Sequence, residues 1–226
     1  MRFFLTLCET LQKTCIIKGK IYCESGLHIG GSSDEIEIGG VDMTVIKHPI
    51  TNEPYIPGSS IKGKMRSSLE RAKGINPNGD PCGCGKRDCM VCTVFGPHKN
   101  TGHQLGPTRI IVRDASLSQK SRDAVADYIK SRGMTILEKK TENIINRAKG
   151  TAEHPRTMER VPSETEFDLE IVLQVYDTDD EKKLVQTVKD GLSWVERTYL
   201  GKGGSRGSGK VTFRDLTLDD KPFKLE

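Results

Sequence analysis

The sequence lacks any long apolar run. Its longest ones are a handful of residues, far short of the roughly 20 that span a bilayer, which excludes a helical membrane protein. Aromatic residues make up only 5% with a single Trp, and none forms the aromatic signature of a standard RNA-recognition strand. No charge sign dominates either: 35 Lys+Arg stand against 31 Asp+Glu, a formal net charge of +4, too little to announce a polyanion binder by total charge. The opening MRFFLTLCETLQKT has no proper signal-peptide core or cleavage site. The expectation is therefore a cytoplasmic, reduced protein without a membrane partner, whose seven cysteines are not a disulfide scaffold. A length of 226 residues suits one domain with insertions.

What is present is unevenly placed. Four of the cysteines, Cys82, Cys84, Cys89 and Cys92, crowd into PCGCGKRDCMVC, while Cys8, Cys15 and Cys23 are scattered near the first strand. Acids dominate residues 162–190, and basic residues gather at 55–75 and 197–210. A near-neutral total thus hides local basic patches, which are what a polyanion meets.

Periodicity predicts the element order. Cys15, Ile17, Gly19, Ile21 and Cys23 alternate as a half-buried strand over 14–24. Ser59 and Ser60 are expected to cap a helix carrying Ile61, Met65, Leu69 and Ala72, ending at Gly74. TRIIVRDASL at 108–117 reads as a strand. After a short helical candidate, TENIINRAKGTAEHPRTMERVP has no clear period and reads as an arm. Phe167, Leu169, Ile171, Leu173 and Val175 alternate strictly as another strand. Val185, Val188, Leu192, Val195 and Tyr199 recur at helical spacing behind Asp179, Asp180 and Glu181, acids that suit a helix N-terminus. A glycine loop and a last strand at 210–218 follow. The chain is thus expected to be a single α+β domain over residues 1–226. Its β-α-β-β-α-β core is ferredoxin-like, with insertions at about 75–106 and 130–162.

The C-x-C-x4-C-x2-C cluster supplies four soft thiolates to one loop, which suits tetrahedral zinc; the alternative is a set of free structural thiols. Four protein ligands leave no open position, so this zinc would be structural. The loop LGKGGSRGSGKV satisfies G-x-x-x-x-G-K through Gly204, Gly209 and Lys210. Val211 nevertheless replaces the magnesium-binding Ser/Thr, and helix-then-strand is the reverse of P-loop order. A nucleic-acid backbone is the better anion for such a loop, with Lys202, Arg206 and Lys210 adding charge; a flexible turn is the alternative. Lys62 and Arg66 lie one turn apart on the first helix, near its N-terminus. The loop LHIGGSSDEIEIGGVD offers His28, Asp34, Glu35, Glu37 and Asp42, carboxylates that could hold a divalent ion. His28 and His48 are candidates for acid-base work or for structural roles. A zinc-ribbon DNA-binding regulator would need a recognition helix near the cysteines, and none is evident.

LHIGG, IGGVDMTVIKHPITNEPYIPGSSIKGKMRSSLE, VFG, TENIINRAKGTAEHPRTMERVP and YLGKGGSRGSGKV together resemble the repeated backbone subunit of type III-A CRISPR (Csm) effector complexes, a RAMP superfamily member. The resemblance runs over nearly the whole chain. It implies a modified RNA-recognition sheet, copies of which stack as a filament along a guide RNA beside other subunits of the complex. Each copy would cut the paired target RNA as a metal-dependent endoribonuclease, using an acid in the early loop with Mg2+ or Mn2+. That acid corresponds to Asp34, with Ser33 the neighbouring slot. The resemblance also implies RNA contacts by His28, by Ser59, Ser60, Lys62, Lys64 and Arg66 on the helix, and by Gly203, Gly204, Ser205 and Arg206 in the glycine loop. The arm corresponds to a thumb wedging into the guide–target duplex, with Asn143, Arg147, Arg156 and Arg160 as contacts. The rival reading is a non-catalytic RNA-binding filament subunit.

Overall fold

A computed structural model describes residues 9–30, 42–75, 79–132 and 136–225. The central strand β1 (Leu11–Cys23) buries Cys15, Ile17, Ile21 and Cys23 on one face. It pairs antiparallel with β5 (Glu166–Tyr176) in the register Ile17↔Ile171, and with β6 (Val211–Leu218) in the register Ile21↔Phe213. Strand β2 (Ile110–Val112) flanks β5, and β7 (Lys221–Pro222) extends the sheet beyond β6, giving the order β2-β5-β1-β6-β7. With β7 set aside, this is the antiparallel strand order of a ferredoxin-like split β-α-β. Where β1 reaches Gly19 the alternation breaks. A Cβ there would lie 2.6 Å from the Leu216 side chain and 2.8 Å from the Arg214 carbonyl, and the β1–β6 register shifts between Lys18 and Lys20.

Helices α1 (Gly58–Ala72) and α4 (Glu181–Arg197) cover the apolar face with Ile61, Met65 and Leu69 from one and Leu184, Val188, Leu192 and Val195 from the other. Gly191 lets them approach closely, since a Cβ there would lie 3.1 Å from Met65 Cε. Burying such side chains contributes about 1.5–3 kcal/mol each, so this layer is where the domain is held. The opposite face is closed to base stacking. Lys20 pairs with Asp168, Arg113 Nε lies 3.8 Å from Glu170, and the Arg214 guanidinium covers the Tyr22 ring at 3.3 Å.

The cysteine segment contributes α2 (Met90–Phe95), whose Val91, Cys92, Val94 and Phe95 join the same core. It is therefore packed against α1 and α4 as part of the helical layer. Its return to β2 is fastened by Arg109, a buried arginine. Arg109 binds Asp179 at 2.9 and 3.0 Å and Glu9 at 2.8 Å, and donates to the carbonyls of Leu105 and Pro107. Asp179 is thus spent on Arg109, while Asp180 alone caps α4, its side chain accepting from the Lys183 amide at 3.3 Å. Helix α3 (Gln119–Arg132) leads to the arm, which is a hairpin of β3 (Glu138–Ile145) and β4 (Ala152–Arg160). No helix among the described residues is long and apolar enough to cross a membrane.

Candidate nucleic-acid interface

The four sulfurs of Cys82, Cys84, Cys89 and Cys92 lie within 4.8 Å of one another. Cys84 and Cys92 are 3.6 Å apart, Cys82 and Cys92 3.6 Å, and Cys82 and Cys89 3.9 Å. A tetrahedral zinc with Zn–S bonds of about 2.3 Å sets its sulfurs about 3.8 Å apart, so the donor set fits that ion in chemistry and spacing. Burial pushes the Cys89 and Cys92 thiols up, while amides of Lys86, Cys92 and Gly85 hydrogen-bond to Cys84, Cys89 and Cys92 respectively and favour their thiolates.

This loop is tied to α1. Glu70 Oε1 accepts from the Cys82 amide at 2.9 Å and from Arg66 Nε at 2.8 Å, and Arg66 Nη2 donates to the Cys82 carbonyl at 2.6 Å. Arg66, expected on the RNA side, is thus 15% exposed and engaged with the cysteine loop. The cap of α1 also differs from expectation. Ser59 and Ser60 lie inside the first turn, Pro57 is the N-cap residue without a side-chain bond, and the Gly58 amide donates to Asp114 Oδ1 at 2.7 Å. The reason is packing: a Cβ on residue 58 would sit 2.1 Å from the Val112 carbonyl, so only glycine brings the helix start against β2 and Asp114. Lys62 and Lys64 are half-buried beyond that start. Burial, then the neighbouring charges of Arg66 and Arg71 respectively, lowers both ammonium pKa values.

Lys64 Nζ lies 3.5 Å from the ring centre of Tyr199. The same ring meets Gly204, where a Cβ would lie 2.1 Å from Tyr199 Cγ. Tyr199 therefore joins α1 to the glycine loop. Sequence spacing placed it on the apolar stripe of α4, but that helix ends at Arg197. The only signal for its role was the neighbouring glycines, which permit close approach to a ring. Gly204→Ala is accordingly expected to cost about 1–3 kcal/mol by overpacking against Tyr199, lowering Tm by about 2–4 °C per kcal/mol for a chain of this size. Calorimetry checks it, with RNA affinity falling in parallel.

The loop itself turns through Gly203 (φ 76°), a 3-10 turn over Gly204–Arg206, and Gly207 (φ 81°). Among the described residues the amides of Gly204 and Ser205 find no acceptor, and Ser205 and Arg206 are exposed. Gly209 (φ 77°) closes the loop where a Cβ would lie 2.0 Å from the Leu200 carbonyl. The Gly209 amide donates to Gly26 O at 2.9 Å and the Lys202 amide to His28 O at 2.9 Å, which docks the loop on the exit of β1. Lys210 is paired with Glu24 at 2.7 Å.

The other side of that exit is held by the hairpin. Leu27 and Val161 exchange amide bonds of 2.8 Å in both directions. His28 is 1% exposed, its Nδ1 2.7 Å from the Glu159 carbonyl, so its ring faces inward and only its backbone meets the glycine loop. His48 accepts the amides of Ile50 and Thr51 at 3.3 Å, a turn-forming role. The chain enters residues 31–41 from Gly30, which bridges Val45, and leaves at Asp42. Asp42 Oδ2 accepts the Thr157 amide of β4 at 2.7 Å, and Glu159 N donates to Met43 O at 2.9 Å. Asp34, with Ser33, Glu35 and Glu37, lies outside the described residues. Along the hairpin Asn143 sits at a bulge between Glu142 and Ile144, opposite His154 (φ 52°) and Pro155. Asn143, Arg147 and Arg156 are exposed, as are Ile144 and Ile145. Arg160 instead joins the root, binding Glu138 at 2.5 Å and Ser208 Oγ at 3.1 Å.

Glycine loop and hairpin root therefore converge on one short segment, Gly26–Gly30, and α1 reaches the loop through Lys64 on the Tyr199 ring. Residues 20–212 match the RAMP superfamily model. The chain belongs to the RAMP superfamily. The CRISPR system Cms endoribonuclease Csm3 of Methanothermobacter thermautotrophicus is 43% identical to this RAMP chain over 94% of its length and 89% of the relative's. The protein of the same description from Methanocaldococcus jannaschii is 40% identical over 94% and 84%. The crystal structure of a Csm3–Csm4 subcomplex in the type III-A CRISPR-Cas interference complex matches with a TM-score of 0.60 at 32% identity. It covers 92% of this RAMP chain and 80% of that one.

Proposed function

We propose that this chain is the backbone subunit of a type III-A CRISPR interference complex, binding guide RNA along a filament of its own copies and cleaving the paired target RNA. The observation that carries this is the docking of the glycine loop and the hairpin root on Gly26–Gly30, which feeds the loop bearing Asp34, with Lys64 of α1 joined to the glycine loop through Tyr199. The relatives named as endoribonucleases and the solved Csm3–Csm4 subcomplex support the same reading.

In this reading base pairing supplies the sequence and the protein reads backbone. Lys62 and Lys64, with Gly203, Gly204, Ser205 and Arg206, take guide phosphates. Asn143, Arg147 and Arg156 on the hairpin meet the duplex, while His28, Arg66 and Arg160 hold the parts that touch it. The hairpin displaces a target nucleotide, so that its ribose 2′-hydroxyl comes in line with the scissile phosphate. Asp34 activates that hydroxyl. A divalent ion, Mg2+ or Mn2+, would supply charge to offset the developing phosphorane. Zinc on Cys82, Cys84, Cys89 and Cys92 is structural, and the site of action is the cytoplasm. The expected products carry a cyclic phosphate and a 5′-hydroxyl. The test is a target with deoxyribose at each cut site: uncut target is expected by gel analysis, and normal cleavage would overturn the mechanism.

A further inference from the structure

The glycine loop and the hairpin are joined by charge as well as by backbone. Arg206 is 49% exposed, yet its Nε lies 2.9 Å from Oε2 of Glu142, which is 11% exposed on β3. Lys140 Nζ is 3.2 Å from the same carboxylate and donates to the Arg206 carbonyl at 2.9 Å. One acid thus holds the side chain of Arg206 while the lysine beside it holds the backbone. Both Glu142 oxygens are buried and off the hydrogen-bond line, so the contact is electrostatic rather than directional. Burial alone would raise the Glu142 carboxyl, but Lys140 and Arg206 more than offset that and hold it below the usual range.

A carboxylate could act on a phosphate-binding arginine in two opposite ways. It could occupy the guanidinium edge that phosphate needs, or it could fix the guanidinium from behind. The Nη pair is the fork that meets a phosphate bidentately, and here the acid approaches Nε. We propose that Glu142 is a positioning residue for the RNA backbone: it clamps Arg206 from the hairpin side, so that the exposed guanidinium edge is presented to a phosphate already oriented. The inference rests on the reading of the glycine loop as an RNA contact. It adds that the hairpin sets the geometry of that contact.

A double-mutant cycle on the full chain tests this, with a fluorescent single-stranded RNA of mixed sequence at low salt and thermal melts of all four proteins. Arg206→Ala should weaken binding and reduce the salt slope by about one. Glu142→Gln, which keeps the shape and removes the charge, should weaken binding about fivefold when Arg206 is present and less than about twofold when it is absent. Equal losses in both backgrounds would make Glu142 a merely structural residue, and tighter binding by Glu142→Gln would make it a competitor of phosphate; either overturns the inference. An Arg206→Ala chain that binds normally overturns the glycine-loop reading itself, as does an unmutated chain that binds no RNA. Weakening by Arg206→Ala with none by Glu142→Gln overturns only the role of Glu142.

Discussion

Asp34→Ala in a reconstituted complex is expected to slow target cleavage by at least about a hundredfold, the scale of losing a group that acts only on the transition state. Guide and target binding should stay within about twofold, because the proposed phosphate contacts lie on α1 and the glycine loop and the strength of such contacts follows the number of cations engaged. Single-turnover cleavage with saturating complex, beside a binding titration, separates the two. Ser33→Ala and Asp42→Ala serve as controls. The Asp42 carboxylate already accepts the Thr157 amide of β4, so its loss should lower stability more than it changes the chemical step. Unchanged cleavage by Asp34→Ala with retained guide binding would leave a non-catalytic filament subunit.

The second large effect concerns the cysteines. Cys92 is buried in the core, whereas Cys84 is exposed, so the pair separates ligation from packing. If the thiols were only structural, Cys84→Ser would fall within about 0.5 kcal/mol of the parent, as surface substitutions do. With zinc on all four sulfurs, Cys84→Ser should lose the metal and several kcal/mol of stability, lowering Tm by about 10 °C at 2–4 °C per kcal/mol. Metal analysis should find one zinc per parent chain and a small fraction of that in the variant. The damage should spread to α1, because Arg66 and Glu70 take their geometry from Cys82. A full zinc complement and unchanged melting in Cys84→Ser would refute the four-sulfur site.

The parts of this fold legible in the sequence are those buried on one side. The alternation of Phe167 to Val175 and the stripe of Leu192 and Val195 follow from facing a core, and the cysteine spacing brings four sulfurs to one point. The arm was not legible as strands. Among the described residues, Met158 is the one fully buried in β3 and β4, so no apolar face is selected and no period-two hydrophobic signal arises there. The cap of α1 was missed for another reason. Asp114 lies far along the chain from Gly58, and a capping rule sees only local neighbours. Arg160 reads from sequence as an RNA contact, since no spacing reveals that Glu138 of β3 pairs with it, and the tie of Arg66 to the distant Cys82 carbonyl is equally invisible, although its partner Glu70 stands one turn along α1. The candidate RNA contacts are thus named from sequence as a set, while their division into exposed residues and buried supports comes only with the tertiary contacts.

The register of β1 has a consequence for the order in which the molecule can be made. Its two neighbours, β5 and β6, are among the last strands to leave the ribosome, so the central strand waits, unpaired, for most of the chain. Such distant pairings are slow because loop closure precedes any gain from contact. The four cysteines, by contrast, lie within a short loop and can close on an ion with α1 and α2 nearby. Synthesis should thus yield a metal-stapled helical unit first and the sheet last. The platform at Gly26–Gly30 needs Val161, Lys202 and Gly209 as well, so a nascent or truncated chain lacks the platform on which hairpin and glycine loop meet.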